Sequence, residues 1–388
     1  MWFQEGPGVR NTQYTQSGVK LLNVSNLVNG KVDLSTSNRY ISEEEAYGKY
    51  KHFLVDDGDF IIASSGIKVD YFDKKMGFIN SSHLPLCMNT STIRFKAIDK
   101  NVIDIRYFMY YLKTQYFKNQ LAQQITGSAQ LNFGPSHLKK MFIPLVDIDE
   151  QVKIAENLDK VTHTIALCNQ IIEKLDLLVK ARFVEMFGDI KLNSMHYDTI
   201  QLDKIANVGS SKRVFVEELQ ENGIPFYRGT EVGALAEGKD IVPELFITEE
   251  HYKTLKEATG VPEIGDLLMP SICSDGRIWL VDTKEPFYFK DGRVLWIHPT
   301  TNNVNSVYLL YFLKQKIAVD YNNIASGTTF AELKIFALKG LQVFMPTEDL
   351  QEQFAVFVAQ TEKSKSAVKK VLEKAEMLKK ALMQEYFG

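Results

Sequence analysis

A chain of 388 residues is too long for one ordinary hydrophobic core, so two or more domains are expected. Its 45% hydrophobic and 24% charged residues describe a globular protein, and no apolar run reaches the roughly 18 residues of a membrane span. A net charge of -3 excludes a protein that holds polyanions by bulk positive charge. Cys87, Cys168 and Cys273 lie far apart with no CxxC, which argues for a reducing compartment, the cytoplasm, and against a thiolate metal site. The opening "MWFQEGPGVRN" carries no charged-then-apolar leader pattern.

Short β-rich runs such as "FLVDDGDFIIAS" come first, bounded by Gly, Asn and Asp turns. The helical segment "IRYFMYYLKTQYFKNQLAQQI" follows. Its Tyr107, Phe108, Tyr110, Tyr111, Tyr116 and Phe117 fall at helical spacing and are assigned to core packing rather than to a base-stacking platform. A long helix is then expected. Ile154, Leu158, Val161, Ile165, Cys168, Ile172, Leu175, Val179 and Met186 follow alternating 4- and 3-residue steps, a heptad seam interrupted only by Arg182. Asp147 and Asp149 suit the positive end of this helix, and Gly188 suits its C-cap.

The second half repeats the first. "YFMYYLK" at Tyr107–Lys113 returns as "YLLYFLK" at Tyr308–Lys314, and "IDEQ" at Ile148–Gln151 as "LQEQ" at Leu350–Gln353. "DDGDFIIAS" at Asp56–Ser64 returns as "EIGDLLMPS" at Glu263–Ser271, and "RFVEMFGD" at Arg182–Asp189 as "LMQEYFG" at Leu382–Gly388. The order is preserved at a shift of 200 to 207 residues, which marks a tandem duplication. A second long helix is expected from about Asp349 to Phe387, with a weaker seam of Phe357, Ser364, Ala367, Val371, Leu378 and Ala381. Each rod of roughly 37 residues is ~55 Å long at ~1.5 Å per residue. The expected fold is α+β: two similar mixed α/β domains, separated and followed by long helices that pair as an antiparallel coiled coil with pseudo-two-fold symmetry. The expected boundaries are 1–146, 147–188, 189–346 and 347–388. The second half has a lead-in, "YDTIQLDKIANVGSSKR", that the first half lacks, and this leaves the first strand of the first domain unassigned.

The join "TGSAQLNFGPSHLKKMFIPLVDIDEQVKIAENLDKV" and the helix exit "LDLLVKARFVEMFGD" resemble the specificity subunit of type I restriction–modification enzymes, over nearly the whole chain. The second copy, "ASGTTFAELKIFALKGLQVFMP" with "LQEQ" and "YFG", resembles it less faithfully. The resemblance implies two target-recognition domains on double-stranded DNA, each reading one half of an asymmetric bipartite target. It implies that the paired helices set the unread spacer. It further implies docking of two methyltransferase (M) subunits and, through them, of restriction (R) motor-nuclease subunits, with no membrane involved.

Base reading needs polar and cationic side chains on exposed loops. In the first half the candidates are Arg10, Asn11, Gln13 and Tyr14; Ser65 and Lys68; and Ser128, Gln130 and Asn132. In the second half they are Lys212, Arg213, Arg228, Ser274, Arg277 and Thr328. Catalysis by the chain itself is not expected, nor is a cofactor or metal. There is no Pro-Pro pair for the [ND]-P-P-[YF] turn of an amino-methyltransferase, no P-loop, and the histidines lie singly. "DDGD" could suggest a metal site, but its counterpart "EIGD" keeps only Gly and Asp, as a turn between strands would. The alternative reading is a coiled-coil scaffold carrying two copies of a domain that binds something other than DNA.

Overall fold

The structure, a computed structural model, describes residues 1–124, 131–326 and 331–388. Contacts divide it into two units, one of Met1–Cys168 with Lys370–Gly388, the other of Asn169–Lys369.

In the first unit an antiparallel sheet sets Trp2–Glu5, Thr92–Lys96, Phe60–Ala63 and Met76–Phe78 side by side in that order. Phe60–Ala63, "FIIA", is buried at every position, as a central strand covered on both faces should be. A three-stranded sheet centres on Val19–Leu22, antiparallel to Tyr40–Ile41 and parallel to Leu86–Met88. The second unit repeats both. Its four strands are Ala206–Gly209, Val294–Pro299, Leu267–Pro270 and Trp279–Leu280 in the same order. Its smaller sheet centres on Ile224–Tyr227, antiparallel to Phe246–Ile247 and parallel to Tyr288–Phe289. The duplication inferred from weak sequence matches is therefore a duplication of sheet topology.

The aromatic helices start alike. Asp104 accepts from the amides of Arg106 and Tyr107, and Asn305 from those of Val307 and Tyr308, each closing two otherwise unpaired helix donors. Tyr107 and Tyr308 are buried and donate to the carbonyls of Pro144 (3.0 Å) and Phe344 (2.8 Å). The aromatic cluster is core, except that Tyr116 is 55% exposed.

Two long helices, Ile148–Phe187 and Glu348–Phe387, have 40 residues each, hence about 60 Å at 1.5 Å per residue. Inside each unit the two run antiparallel. In the first, Asn157 near the start of one helix donates to the Tyr386 hydroxyl near the end of the other (3.2 Å). In the second, Phe183 and Phe187 near the end of one meet Phe354 near the start of the other, with ring centres 5.4 Å apart. The repeated tag ends these rods: Phe387 packs on Tyr107 and Phe187 on Tyr308. Gly188 follows with φ 76°, a left-handed turn where a Cβ would fall 2.4 Å from Ser194 Oγ.

A glutamine in the first turn of each rod fixes it to its globular part, Gln151 of "IDEQ" and, at a shift of 200, Gln351, the first glutamine of "LQEQ". Gln151 is fully buried. It accepts from the Asp104 amide (3.1 Å) and donates to the carbonyls of Val102 (3.0 Å) and Val146 (2.8 Å). Gln351, also buried, accepts from the Asn305 amide (2.8 Å) and donates to Asn303 and Pro346 (both 3.0 Å).

On the first rod Ile154, Leu158 and Val179 are buried and Val161, Ile165, Ile172 and Leu175 half-buried. The second rod departs from expectation. Phe357 is half-buried, but Val371 and Leu378 are 50% and 49% exposed. The covered track is Phe354, Val358, Thr361, Lys365, Val368, Leu372, Ala375, Lys379 and Leu382, one residue along, with the same alternating spacing. Lys365 and Lys379 lie on this track, where their aliphatic stems cover apolar surface while their charges reach outward.

Trp2–Glu5 does form an edge strand, the counterpart of Ala206–Gly209. Among the described residues the first unit shows no counterpart of the ladder that the lead-in makes in the second, where Thr199–Gln201 pairs with Gln342–Phe344. Val343 is buried there, whereas Phe142 is 76% exposed.

Candidate nucleic-acid interface

Each repeat buries one aspartate in the turn before its second sheet strand, and its partners on the strand paired alongside differ. Asp59 is ion-paired to Arg94 (3.1 Å) and Lys96 (3.2 Å). Asp266 accepts from the Trp296 indole (2.7 Å), and His298 Nδ1 lies 2.7 Å from its carboxylate. The backbone amides of Asp56 and Glu263 also donate to these carboxylates, which makes "DDGD" and "EIGD" turns between strands. Among the described residues no group of three His, Cys, Asp or Glu side chains could hold a metal ion, and no helix is long and apolar enough to cross a membrane. A conserved frame with different polar fittings leaves the rims of the two units free to differ.

In the first unit the structure divides the predicted residues by accessibility. Arg10, Asn11, Lys68 and Asn132 are exposed. Gln13 is engaged inside the protein, donating to Glu45 (2.7 Å) and the Tyr50 hydroxyl (3.1 Å) while accepting from the Arg10 amide (3.1 Å). It therefore shapes the loop that presents Arg10 and Asn11. The Tyr14 hydroxyl accepts from Asn89 (3.3 Å), and the guanidinium of Arg39, outside the predicted set, lies 5.5 Å from its ring. Ser65 donates to Ser91 (2.6 Å) and pairs in register with Asn132, so these two meet on one short ladder. Ser128 and Gln130 lie outside the described residues, as does Thr328 in the second unit.

In the second unit Arg228 and Arg277 line one recess of about 660 Å³, together with Lys290 and Arg293, which the sequence reading did not single out. The available signal was "KDGR", where Gly292 at φ 64° lets a tight turn set a cation on either side. The floor is apolar, from Val216, Phe226 and Leu245. The guanidinia are braced from outside. Arg228 pairs with Glu231 and with Glu244 (2.9 Å), Arg277 with Asp275 (2.9 Å) and Glu237 (3.8 Å), and Arg293 with Glu332. Burial opposes ionisation of Glu231, but hydrogen bonds from the Arg228 side chain and backbone hold its carboxyl down at about 2. The same side-chain bond raises the Arg228 pKa. A braced guanidinium loses little rotamer freedom when its remaining N–H groups meet an acceptor. Arg213, two-thirds exposed, pairs with Asp291 (3.3 Å); Lys212 and Ser274 are exposed. The structure thus gathers Arg228 and Arg277, with Lys290 and Arg293, into one recess.

Residues 13–177 match the family model described as a type I restriction modification DNA specificity domain. A relative from Haemophilus influenzae, described as a type I restriction enzyme specificity subunit, is 26% identical over 262 residues, 66% of this chain and 63% of its own. The specificity subunit of the type I restriction enzyme MjaVIII from Methanocaldococcus jannaschii is 24% identical over 200 residues, 50% of this chain and 45% of its own. The chain thus matches less than two thirds of the length of either relative. Among solved structures, the S subunit of a type I restriction–modification system from M. genitalium superposes with a TM-score of 0.60 at 18% identity, covering 100% of this chain and 93% of that one. A chain from a structure on complex assembly and conformational transition of the type I R-M system gives 0.53 at 14% identity, covering 100% and 97%. These two likenesses establish the fold.

Proposed function

From the match of residues 13–177 to the family model described as a type I restriction modification DNA specificity domain, we propose that the chain is the non-catalytic, sequence-reading subunit of a type I restriction–modification complex. Residues 1–146 and 189–346 are the two target-recognition domains, each reading one half of an asymmetric bipartite site on double-stranded DNA. The helices at 147–188 and 347–388 set the unread spacer and dock two methyltransferase subunits, through which motor-nuclease subunits join. The observation that carries this reading is one sheet topology built twice with different rims: braced arginines around a recess in one unit, an Arg10–Asn11 loop and a Ser65–Asn132 ladder in the other. Two copies of one reader with unlike side chains suit two unlike half-sites. A helix of about 60 Å exceeds one DNA turn of about 34 Å, which is adequate for major-groove contacts one turn apart. The net charge of -3 fits a reader whose partners supply part of the phosphate binding.

The test is to purify the chain with its methyltransferase subunits and select from a random duplex library. Enrichment of two fixed half-sites at a fixed spacing supports the proposal. A complex that prefers no bipartite sequence over random duplex sinks it and favours a scaffold whose repeated domains bind something else. Inserting four residues near Thr164 should alter the spacer and leave both half-sites intact.

A further inference from the structure

The two units treat one face of the same sheet in opposite ways. In the first, buried Arg94 closes that face. Its guanidinium donates to Gln4 (2.8 Å), to the carbonyls of His52 (3.0 Å) and Leu54 (2.6 Å) and to Asp59 (3.1 Å), and it lies 5.0 Å from the centre of the Trp2 ring. Gln4 pairs in register with Arg94, and Trp2 with Lys96. In the second unit the matching pairs are Gly209 with Trp296 and Asn207 with His298. A glycine stands where the first unit has the glutamine that holds the arginine, and an indole stands where it has the arginine. A Cβ added at Gly209 would meet nothing within 4 Å. A cavity of about 390 Å³ opens there, between this ladder and the end of the helix Glu249–Thr259.

The groups of this cavity are fixed from beneath. Asp266, 2% exposed, accepts from the Trp296 indole (2.7 Å) and from the Glu263 amide (2.9 Å). A carboxylate only accepts, so His298 Nδ1 donates to its other oxygen (2.7 Å), and Nε2 is left for an occupant. Residues directly opposite on an antiparallel ladder share a face, which sets the exposed Asn207 amide beside His298. The hydroxyls of Ser210 and Thr259 are committed, to the carbonyls of Val294 (2.6 Å) and Leu255 (3.1 Å). Lys256 and Glu263 in the wall carry opposite charges, and His298 faces the Asp266 carboxylate. That balance favours a neutral occupant. The volume is at the small end of the roughly 300–1,000 Å³ of ligand sites, which favours a compact one.

We infer that this cavity binds an aminopurine base of the adenine type, stacked on Trp296 with its amino and ring-nitrogen edge on the Asn207 amide. An asparagine amide offers one donor and one acceptor side by side, the complement of adenine N6 and N7. His298 Nε2 stands next to it for a further polar atom of the ring. The indole is a platform for any base, so the edge contact is what selects. The first unit, with Arg94 in place, does not take one. The base belongs either to a free nucleoside or to a nucleic-acid strand, and the chemistry of the site is the same for both. The site needs neither a bipartite target nor partner subunits, so it can fail while the half-site reading holds, and the reverse.

Calorimetric titration of the full chain with adenosine tests this. Saturable binding is expected. Asn207→Ala, at an exposed position, should weaken it about tenfold or more while leaving the urea midpoint near that of wild type. Gly209→Gln, which copies Gln4 into open space on a strand, should weaken it as much by filling the cavity. Guanosine presents two acceptors at the same edge and should bind about tenfold more weakly than adenosine. Competition separates the two sources. If a short adenine-containing single strand displaces adenosine at concentrations well below those of free adenosine itself, the base comes from a strand; if it competes no better, the free nucleoside is the natural ligand. Absence of saturable binding, its survival in Asn207→Ala or in a folded Gly209→Gln, or equal affinity for guanosine overturns the inference.

Discussion

The buried glutamines permit a sharp test of how the rods are joined to the globular parts. Gln351 is 1% exposed and completes three hydrogen bonds to backbone groups: the Asn305 amide and the carbonyls of Asn303 and Pro346. Gln351→Leu preserves most of the volume but strands one donor and two acceptors where water does not replace the lost partner. At about 1–3 kcal/mol per unsatisfied buried group, the loss should be at least about 3 kcal/mol. Against a typical total of about 5–15 kcal/mol, that is a large fraction of the unit's stability. Urea unfolding followed by tryptophan emission reads it, because Trp279 and Trp296 lie in the second unit and only Trp2 in the first. With a slope of about 1–3 kcal/mol per molar, the midpoint should fall by about 1–3 M. Gln351→Glu should not rescue: it keeps the acceptor for Asn305 but loses both donors and turns a carboxylate toward two carbonyls. A leucine variant within about 1 kcal/mol of wild type, or rescue by glutamate, would refute this account of the motif. Gln151→Leu should behave alike in the first unit.

Three further outcomes follow from the geometry. Leu378→Glu, on the exposed side of the C-terminal helix, should change stability by no more than about 0.5 kcal/mol, whereas Ala375→Glu, on the covered track, should cost at least about 2 kcal/mol by chemical denaturation. Lys113 is held at about 8 in the folded chain against 10.5 unperturbed. Between those values the unfolded chain binds more protons, so wild-type stability climbs as pH rises from about 8 to 10.5. Lys113→Met should therefore be the more stable protein at pH 7, with the gap closing over that window; a gap independent of pH would contradict the burial. Arg277→Ala in the reconstituted complex should weaken binding by about 1–3 kcal/mol at one half-site only, as measured by competition with half-site variants. Equal loss at both half-sites would argue for a non-specific role.

Much of the fold was legible because duplication amplifies weak signals. "YFMYYLK" alone says little, but "YLLYFLK" at the same offset fixes a helix, and the sheets then agree strand for strand. The first heptad seam was legible because its covered positions are apolar. The second was not, since Lys365 and Lys379 occupy the covered track and Val371 and Leu378 stand outside it. The roles of Gln151 and Gln351 were likewise hidden. Their spacing is visible, yet the backbone groups they satisfy come from loops 46 to 49 residues earlier and from the turn just before each rod. At the candidate interface, residue type pointed to Arg228 and Arg277, but Lys290 and Arg293 reach the same recess only through a strand pairing that one sequence does not display. Gln13 is placed differently from what its residue type suggests, because Glu45 and Tyr50 engage its amide.

The division of the chain also sets an order in time. The second unit is complete once Lys369 has been made, whereas the first awaits Lys370–Gly388. At synthesis rates of about 5–20 residues per second, the roughly 200 residues between Cys168 and Lys370 occupy the ribosome for about 10–40 s. For that interval Tyr107 and Tyr111 lack the ring of Phe387 that later seals them. The unit translated earlier is therefore completed later, and a nascent chain stalled within Lys370–Gly388 would carry the second unit finished and the first still open.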